Sequence, residues 1–382
     1  MTMTFPLLDR TGTVSRTDRS RRRHTMTRMD DYRLLGRSGL RVAPLSLGAM
    51  TFGDAWGWGA DKQESKRIFD AYLDLGGNMI DTANIYTDGQ SERYLGEFLE
   101  GCRDSVVVST KYAATRDPAD PNAGGGGRKS LRGSVEASLR NLGTDYIDLM
   151  YLHAWDGVTP SDEIMAALGD LVQSGKVLYL GISDTPAWEV ARMQTLAQLR
   201  GWPPLSALQV EYSLIERTTE RELLPMAADL GLGVVPWSPL GGGVLTGKYT
   251  AADIEGASSN LPAGSRRDHA RSNRTLTERG LRTADVVVEV AEELGATPAQ
   301  VALAWTLLHP AVVSSLIGVR TAEQLRHNIG ALDVVFDESQ LMRLHSVSAI
   351  DMGFPHEFLT RPMVRGVTSG RTSVRPRPPR SW

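Results

Sequence analysis

Four side chains in this sequence could together move a proton to or from a carbonyl oxygen: Asp81, Tyr86, Lys111 and His153. Asp81 follows the run Asn78-Met79-Ile80, and Tyr86 comes five positions later. Lys111 follows Val106-Val107-Val108-Ser109-Thr110, and His153 follows a run from Tyr146 to Leu152. A phenol has an ordinary pKa of about 10 and is a proton donor at neutral pH. A neighbouring ammonium stabilises the phenolate and lowers that value, a part Lys111 can play with Asp81 as its ion-pair partner. His153 can hydrogen-bond the substrate oxygen or relay a proton. No side chain donates hydride, so a nicotinamide cofactor must supply it. Each residue alone has a duller role: turn former, half-buried ring, strand edge, structural imidazole. Their shared position after strand-like runs makes the combined reading the stronger one.

Elements able to bring these residues together can be read from the alternation of the text. Short β-rich runs occupy 45–50, 78–82, 105–110, 146–152, 177–182, 206–211, 233–237 and 312–317. Helical spacing occupies 61–75, 91–100, 129–141, 161–174, 186–200, 219–230, 285–295 and 321–331. Eight βα pairs predict parallel strands with helices outside them, and a closed (β/α)8 TIM barrel brings all strand ends to one mouth. A dinucleotide-binding open sheet would need G-x-G-x-x-G after the first strand; the text there is Gly48-Ala49-Met50-Thr51-Phe52-Gly53. Residues 32–43 predict an N-terminal β-hairpin turning at Gly36-Arg37-Ser38-Gly39. Two long connections, 113–128 with its four glycines and 238–284, are expected as active-face loops. The glycine quartet reads as a hinge rather than a phosphate cradle.

Composition narrows the class. The 382 residues carry a net charge of −3, with 41% hydrophobic and 23% charged side chains, values of a globular domain. The charge gives no reason to expect nucleic acid as a partner, and no apolar run reaches the ~20 residues of a membrane helix. The single Cys102 excludes an intrachain disulfide framework and a Cys-rich metal site, which makes a reducing cytoplasm the default. Residues 1–28, with seven arginines and no apolar core segment, are expected to be a disordered extension; Asp9 and Asp18 argue against a transit peptide, and Met26 and Met29 fit a later start. The barrel is expected over 29–350, and 351–382 as a C-terminal segment ending in an Arg- and Pro-rich tail. Oligomeric state is not readable.

Ordered along the chain stand Asp81-Thr82-Ala83-Asn84-Ile85-Tyr86, Ser91-Glu92-Arg93-Tyr94-Leu95-Gly96, Ser109-Thr110-Lys111, Asp145-Tyr146-Ile147-Asp148-Leu149 and Leu152-His153. Then come Gly181-Ile182-Ser183, Gln209-Val210-Glu211-Tyr212-Ser213, Trp237-Ser238-Pro239-Leu240 and Ile317-Gly318-Val319-Arg320 leading to Gln324 and Asn328. Over roughly residues 32–366 this text resembles the aldo-keto reductases, in the bacterial branch that is also similar to potassium-channel β-subunits. The resemblance implies that Asp81, Tyr86, Lys111 and His153 form a catalytic tetrad. It implies that Ser183 and Gln209 hold the nicotinamide carboxamide, and that the ring stacks on Trp237. Backbone groups of Ser238, Leu240 and Gly242, with Lys248, would clasp the pyrophosphate, with Met50, Pro239 and Gly318 also at the cofactor. Arg320, at a helix start, would take the 2′-phosphate of NADPH, with Gln324 and Asn328 near adenine. Many relatives have Asn after the strand Ser; here it is Asp184, which cannot donate to the carboxamide oxygen. Trp56, Trp58, Tyr112 and Trp155 are expected to line the substrate pocket.

The function expected is NADPH-dependent reduction of aldehydes or ketones, the partner being a small-molecule carbonyl substrate. The alternative is a cofactor-sensing regulatory module with slow turnover, like the channel subunits, whose tetrads are alike. A metal-dependent barrel hydrolase would want His-x-His at a strand end, a pair absent from the seven histidines.

Overall fold

A computed structural model describes residues 27–255 and 266–372. Most of the expected N-terminal extension, part of the second long connection and the Arg- and Pro-rich tail lie outside the described residues. A two-stranded antiparallel hairpin comes first, β1 (Arg33–Leu34) and β2 (Arg41–Val42). Eight parallel strands follow: β3 (Leu45–Gly48), β4 (Met79–Asp81), β5 (Val107–Tyr112), β6 (Ile147–Leu152), β7 (Val177–Ser183), β8 (Leu205–Glu211), β9 (Gly233–Trp237) and β10 (Ser315–Gly318). They pair in the order β10-β3-β4-β5-β6-β7-β8-β9. The Val234–Val312 bridge draws the last edge towards the first, with the Val313 amide donating to the Val234 carbonyl at 3.0 Å. The architecture is a (β/α)8 barrel with an N-terminal hairpin.

Helices α1 (Lys62–Asp74), α2 (Gln90–Phe98), α3 (Arg128–Leu142), α4 (Ser161–Gln173), α5 (Ala187–Arg200) and α6 (Leu223–Leu230) alternate with the strands. The first shows why. Asp61 caps it by accepting from the Glu64 amide, and Ser65, Ile68, Phe69 and Tyr72 form one buried face at helical spacing. The Tyr72 hydroxyl stands 2.9 Å from both the Leu45 and the Met79 carbonyl, its one proton shared between them, tying helix to sheet.

The connection after β9 is more structured than the sequence led us to expect. It contains a tight turn over Gly241–Thr246, then α7 (Ala251–Glu255), α8 (Arg266–Ser272) and α9 (Glu278–Leu294). α9 starts earlier than the helical spacing at 285–295 implied, because Thr277 caps it by accepting from the Gly280 amide. α10 (Pro298–Thr306) was not foreseen, although Thr297 and Gln300 form a reciprocal capping box at its start. α11 (Ala322–Ile329) and α12 (Glu338–Val347) complete the outer ring, and α13 (His356–Thr360) and α14 (Pro362–Ser369) lie in the C-terminal segment. Among the described residues no helix is long and apolar enough to cross a membrane.

Two apolar layers hold the molecule. The larger lies between strands and helices. The smaller fills the barrel interior with Met79, Val107, Leu149, Tyr151, Ala207, Val235 and Leu316, and is completed by Leu35 and Val42 of the hairpin segment. The hairpin therefore stoppers the end of the barrel away from the mouth. At its turn Gly36 has φ +60°, and a Cβ there would meet the Ser206 carbonyl oxygen at 2.4 Å. Within the barrel, Gly181 leaves the space that the Tyr151 ring occupies: an added Cβ would stand 2.3 Å from it.

Candidate active site

Side-chain parity along β5 decides what reaches the mouth. Residues alternate between faces of a strand: Ser109 and Lys111 turn to the barrel axis, Thr110 and Tyr112 to the helices. Lys111 is fully buried and ion-paired with Asp81, which ends β4. Its Nζ also donates to the Thr82 carbonyl at 2.8 Å and to the Tyr86 hydroxyl at 3.2 Å. The Ser109 hydroxyl and the Gln209 amide donate to the other Asp81 oxygen at 2.7 and 3.0 Å. The rings of Tyr86 and His153 meet edge to face, with centroids 5.9 Å apart. All four expected catalytic residues thus converge. The role of Ser109 as a brace for Asp81 was missed, although its spacing two residues before Lys111 carries the signal.

The electrostatics refine the expected roles. Burial raises the Tyr86 phenol above its ordinary value, and the Lys111 ammonium opposes that rise without overcoming it. Burial works to lower the Lys111 value, but Asp81 and Tyr86 together outweigh it, and the ammonium is held charged. His153 is pushed down to about 3, first by burial and then by the Lys111 charge. It is a neutral imidazole at physiological pH, a hydrogen-bond donor rather than a cationic relay. Its Nδ1 is buried with no hydrogen-bond partner among the described residues.

These groups open into a cleft of about 370 Å³, within the range of small-molecule sites. Met50, Trp56, Ser183, Gln209, Trp237, Ser238, Pro239, Leu240, Gly242 and Gly318 all line it beside Asp81, Tyr86 and His153. The donor set fits a dinucleotide. The Trp237 indole offers a flat wall, Ser183 and Gln209 offer polar groups beside it, and a Cβ at Gly318 would meet nothing within 4 Å, leaving a bare rim. The Gly241, Gly242 and Gly243 backbones all have positive φ, and their amides are spent inside the turn on Ser238 and Leu240. Strained backbone gathers at this face: Thr87, Asp88, Ala113, Asp184 and Ser238 also have positive φ.

Other expected residues lie elsewhere. Tyr112 does not reach the cleft; it is fully buried on the outer face of β5, its hydroxyl 3.5 Å from the Gly126 carbonyl. Trp58 stands behind Trp56, ring centroids 5.8 Å apart. Trp155 turns away to donate to the Thr159 carbonyl at 3.2 Å and to pack edge-on against Trp188. Lys248 lies over the Tyr249 ring, and a Cβ on Gly243 would stand 2.8 Å from its Nζ, which puts the amine beside the glycine turn. Arg320 follows Gly318 by two residues, and Gln324 and Asn328 lie on α11. The Arg320 amide donates to the Gln324 side chain at 2.9 Å, and Thr321 caps α11. The glycine quartet is pinned: the Gly125 amide donates to the Ala113 carbonyl at 2.7 Å and the Gly126 amide to Asp156 at 2.8 Å. Ile85, Leu316 and Asn273 line the cleft without having been anticipated; Asn273 arrives from the α8–α9 connection, which carries no strand-end signal.

Asp184 lines the cleft and accepts a hydrogen bond from the Trp237 indole N–H at 3.0 Å. Although open to the cleft, its carboxyl lies above its ordinary value because of the protein packed around it; the indole N–H and the Lys111 charge oppose that rise. Beside it Glu211 is pushed up to about 7, by burial first and then by the charges of Glu216 and Asp184.

The family described as "Aldo/keto reductase family" matches residues 44–349. A protein named norsolorinic acid reductase, from Aspergillus flavus, is 36% identical over 356 residues, 90% of this chain and 87% of that protein. The aryl-alcohol dehydrogenase [NADP(+)] of Phanerodontia chrysosporium is 37% identical, covering 83% of this chain and 86% of its own. The aryl-alcohol dehydrogenase GME11368 of Pestalotiopsis microspora is 38% identical, with coverages of 86% and 85%.

Proposed function

The chain belongs to the aldo-keto reductase family of oxidoreductases, and from that premise we propose that it interconverts aldehydes or ketones and alcohols with NADPH as the hydride donor, Tyr86 serving as the general acid. The observation that carries this reading is the 3.2 Å contact between Lys111 Nζ and the Tyr86 hydroxyl at the mouth of a cleft walled by Ser183, Gln209 and Trp237.

When bound, NADPH would supply the hydride. The chain's own residues do the rest. His153, neutral, donates a hydrogen bond to the carbonyl oxygen and orients it. Tyr86, kept protonated by burial, gives its proton to that oxygen as negative charge develops there. Lys111 steadies the phenolate left behind, and Asp81 keeps Lys111 charged in a place where an unpaired ammonium would lose its proton. Ser183 and the free oxygen of the Gln209 amide are offered to the carboxamide, and Trp237 to the ring face. Arg320, two residues after Gly318 and just before the cap of α11, is the residue proposed to favour NADPH over NADH. Trp56, whose ring meets Tyr86 edge-on at 6.4 Å, offers an aromatic wall to the substrate, in keeping with the names of the aryl-alcohol dehydrogenases above. The single Cys102 keeps a reducing cytoplasm as the proposed compartment.

Steady-state turnover of 4-nitrobenzaldehyde with NADPH tests the reading. Sustained consumption of NADPH is expected; tight nucleotide binding with turnover near zero would favour a cofactor sensor instead.

A further inference from the structure

We propose that the negative charge of Asp184 biases the cofactor site towards the oxidised nicotinamide, and so favours alcohol oxidation relative to an otherwise identical site bearing an amide there. This rests on the reading of the cofactor site given above. Four observations carry it. The carboxylate lines the cleft and is tied to the wall that would face the ring, through the bond from Trp237 Nε1 at 3.0 Å. Its backbone is fixed at φ +40°, a conformation Asp tolerates better than most residues, and its amide lies 3.4 Å from the Gln209 carbonyl. A second carboxyl, Glu211, stands on the register partner of Trp237, with one oxygen buried and without a hydrogen-bond partner. Lys111, the buried ammonium whose charge reaches Asp184, is ion-paired with Asp81 rather than with Asp184.

The indole wall is therefore flanked by two carboxyl groups, neither of them ion-paired among the described residues. The nicotinamide ring is neutral when reduced and carries one positive charge when oxidised. A fixed negative charge nearby lowers the free energy of the oxidised form and leaves the reduced form almost untouched. By linkage, a ratio of binding constants changed in this way shifts the bound redox equilibrium by the same factor. The hydrogen bond to Trp237 cannot produce this effect by itself, since an amide oxygen at the same position would also accept it.

The experiment compares dissociation constants of NADP+ and NADPH, by titration calorimetry on the full chain, for wild type, Asp184→Asn and Glu211→Gln. Measurement at about pH 6 keeps Glu211 largely protonated, because its carboxyl titrates at about 7. Asp184→Asn is expected to raise the ratio Kd(NADP+)/Kd(NADPH) by about tenfold, the factor that ~1.4 kcal/mol represents, with unchanged thermal stability. Glu211→Gln is expected to leave the ratio within about twofold at this pH. A ratio unmoved by Asp184→Asn, with both nucleotides still binding, overturns the inference and spares the cofactor reading. A ratio moved by Glu211→Gln instead assigns the charge effect elsewhere and also overturns it. Failure of both nucleotides to bind wild type overturns the cofactor reading itself.

Discussion

Lys111 Nζ touches both the Asp81 carboxylate and the Tyr86 hydroxyl, so one buried ammonium joins the end of β4 to the phenol beside it at the mouth. Substitutions around that cation separate the proposed proton donation from fold stability.

Tyr86→Phe removes the proton donor and keeps the ring that packs against His153 and Trp56. NADPH affinity should stay within about twofold, while kcat for carbonyl reduction falls by about 10²- to 10⁴-fold, the usual worth of a positioned acid. Single-turnover kinetics measure it. Reduction at the wild-type rate would remove Tyr86 from the role.

Asp81→Asn removes the negative charge paired with Lys111 inside the barrel and leaves the ammonium only neutral acceptors, among them the Thr82 carbonyl and the Tyr86 hydroxyl. Breaking a buried ion pair from one side costs about 3–5 kcal/mol. Urea unfolding should show a loss of that order, together with lost activity. A stability change below ~1 kcal/mol would mean the ammonium simply deprotonates at little cost.

His153 gives a pH signature. Its folded-state value of about 3 lies below the ordinary 6.5. A depressed value means the unfolded chain takes up the proton first as pH falls. The stability held by the neutral ring is thus present above about pH 6.5 and is lost progressively towards about pH 3. Thermal melts from about pH 8 down to about pH 5 should fall more steeply for wild type than for His153→Gln. Parallel slopes would show that the imidazole does not titrate out of register with the unfolded chain. In the same window His153 should add no limb to the kcat/KM profile.

Arg320→Ala tests the phosphate assignment. Losing one charge-assisted contact, worth about 1.5–3 kcal/mol, should raise the NADPH KM by roughly ten- to a hundredfold and leave the NADH KM nearly unchanged. Equal small effects on both nucleotides would detach Arg320 from the 2′-phosphate.

How much of this was legible in sequence depends on what kind of signal each residue carries. The clustering of the four candidate side chains was readable because Asp81, Lys111 and His153 end or directly follow β-rich runs, and parallel strands bring such ends together. Tyr112 was misplaced by ignoring parity: if Lys111 faces the axis, its neighbour faces the helices. Trp58 and Trp155 lie in irregular loops, where neither period of two nor of 3.6 says which way a ring turns. The start of α10 was visible in Thr297-Pro298 followed by Gln300 and was overlooked. Asn273 and the bond from Trp237 to Asp184 depend on how separate connections fold over one another, and no local pattern encodes that.

The hairpin segment, through Leu35 and Val42, seals the barrel at its far end. Among the described residues the barrel beneath the cleft is consequently a cul-de-sac. If two ligands share it as proposed, the deeper-seated guest must enter before the other and leave after it.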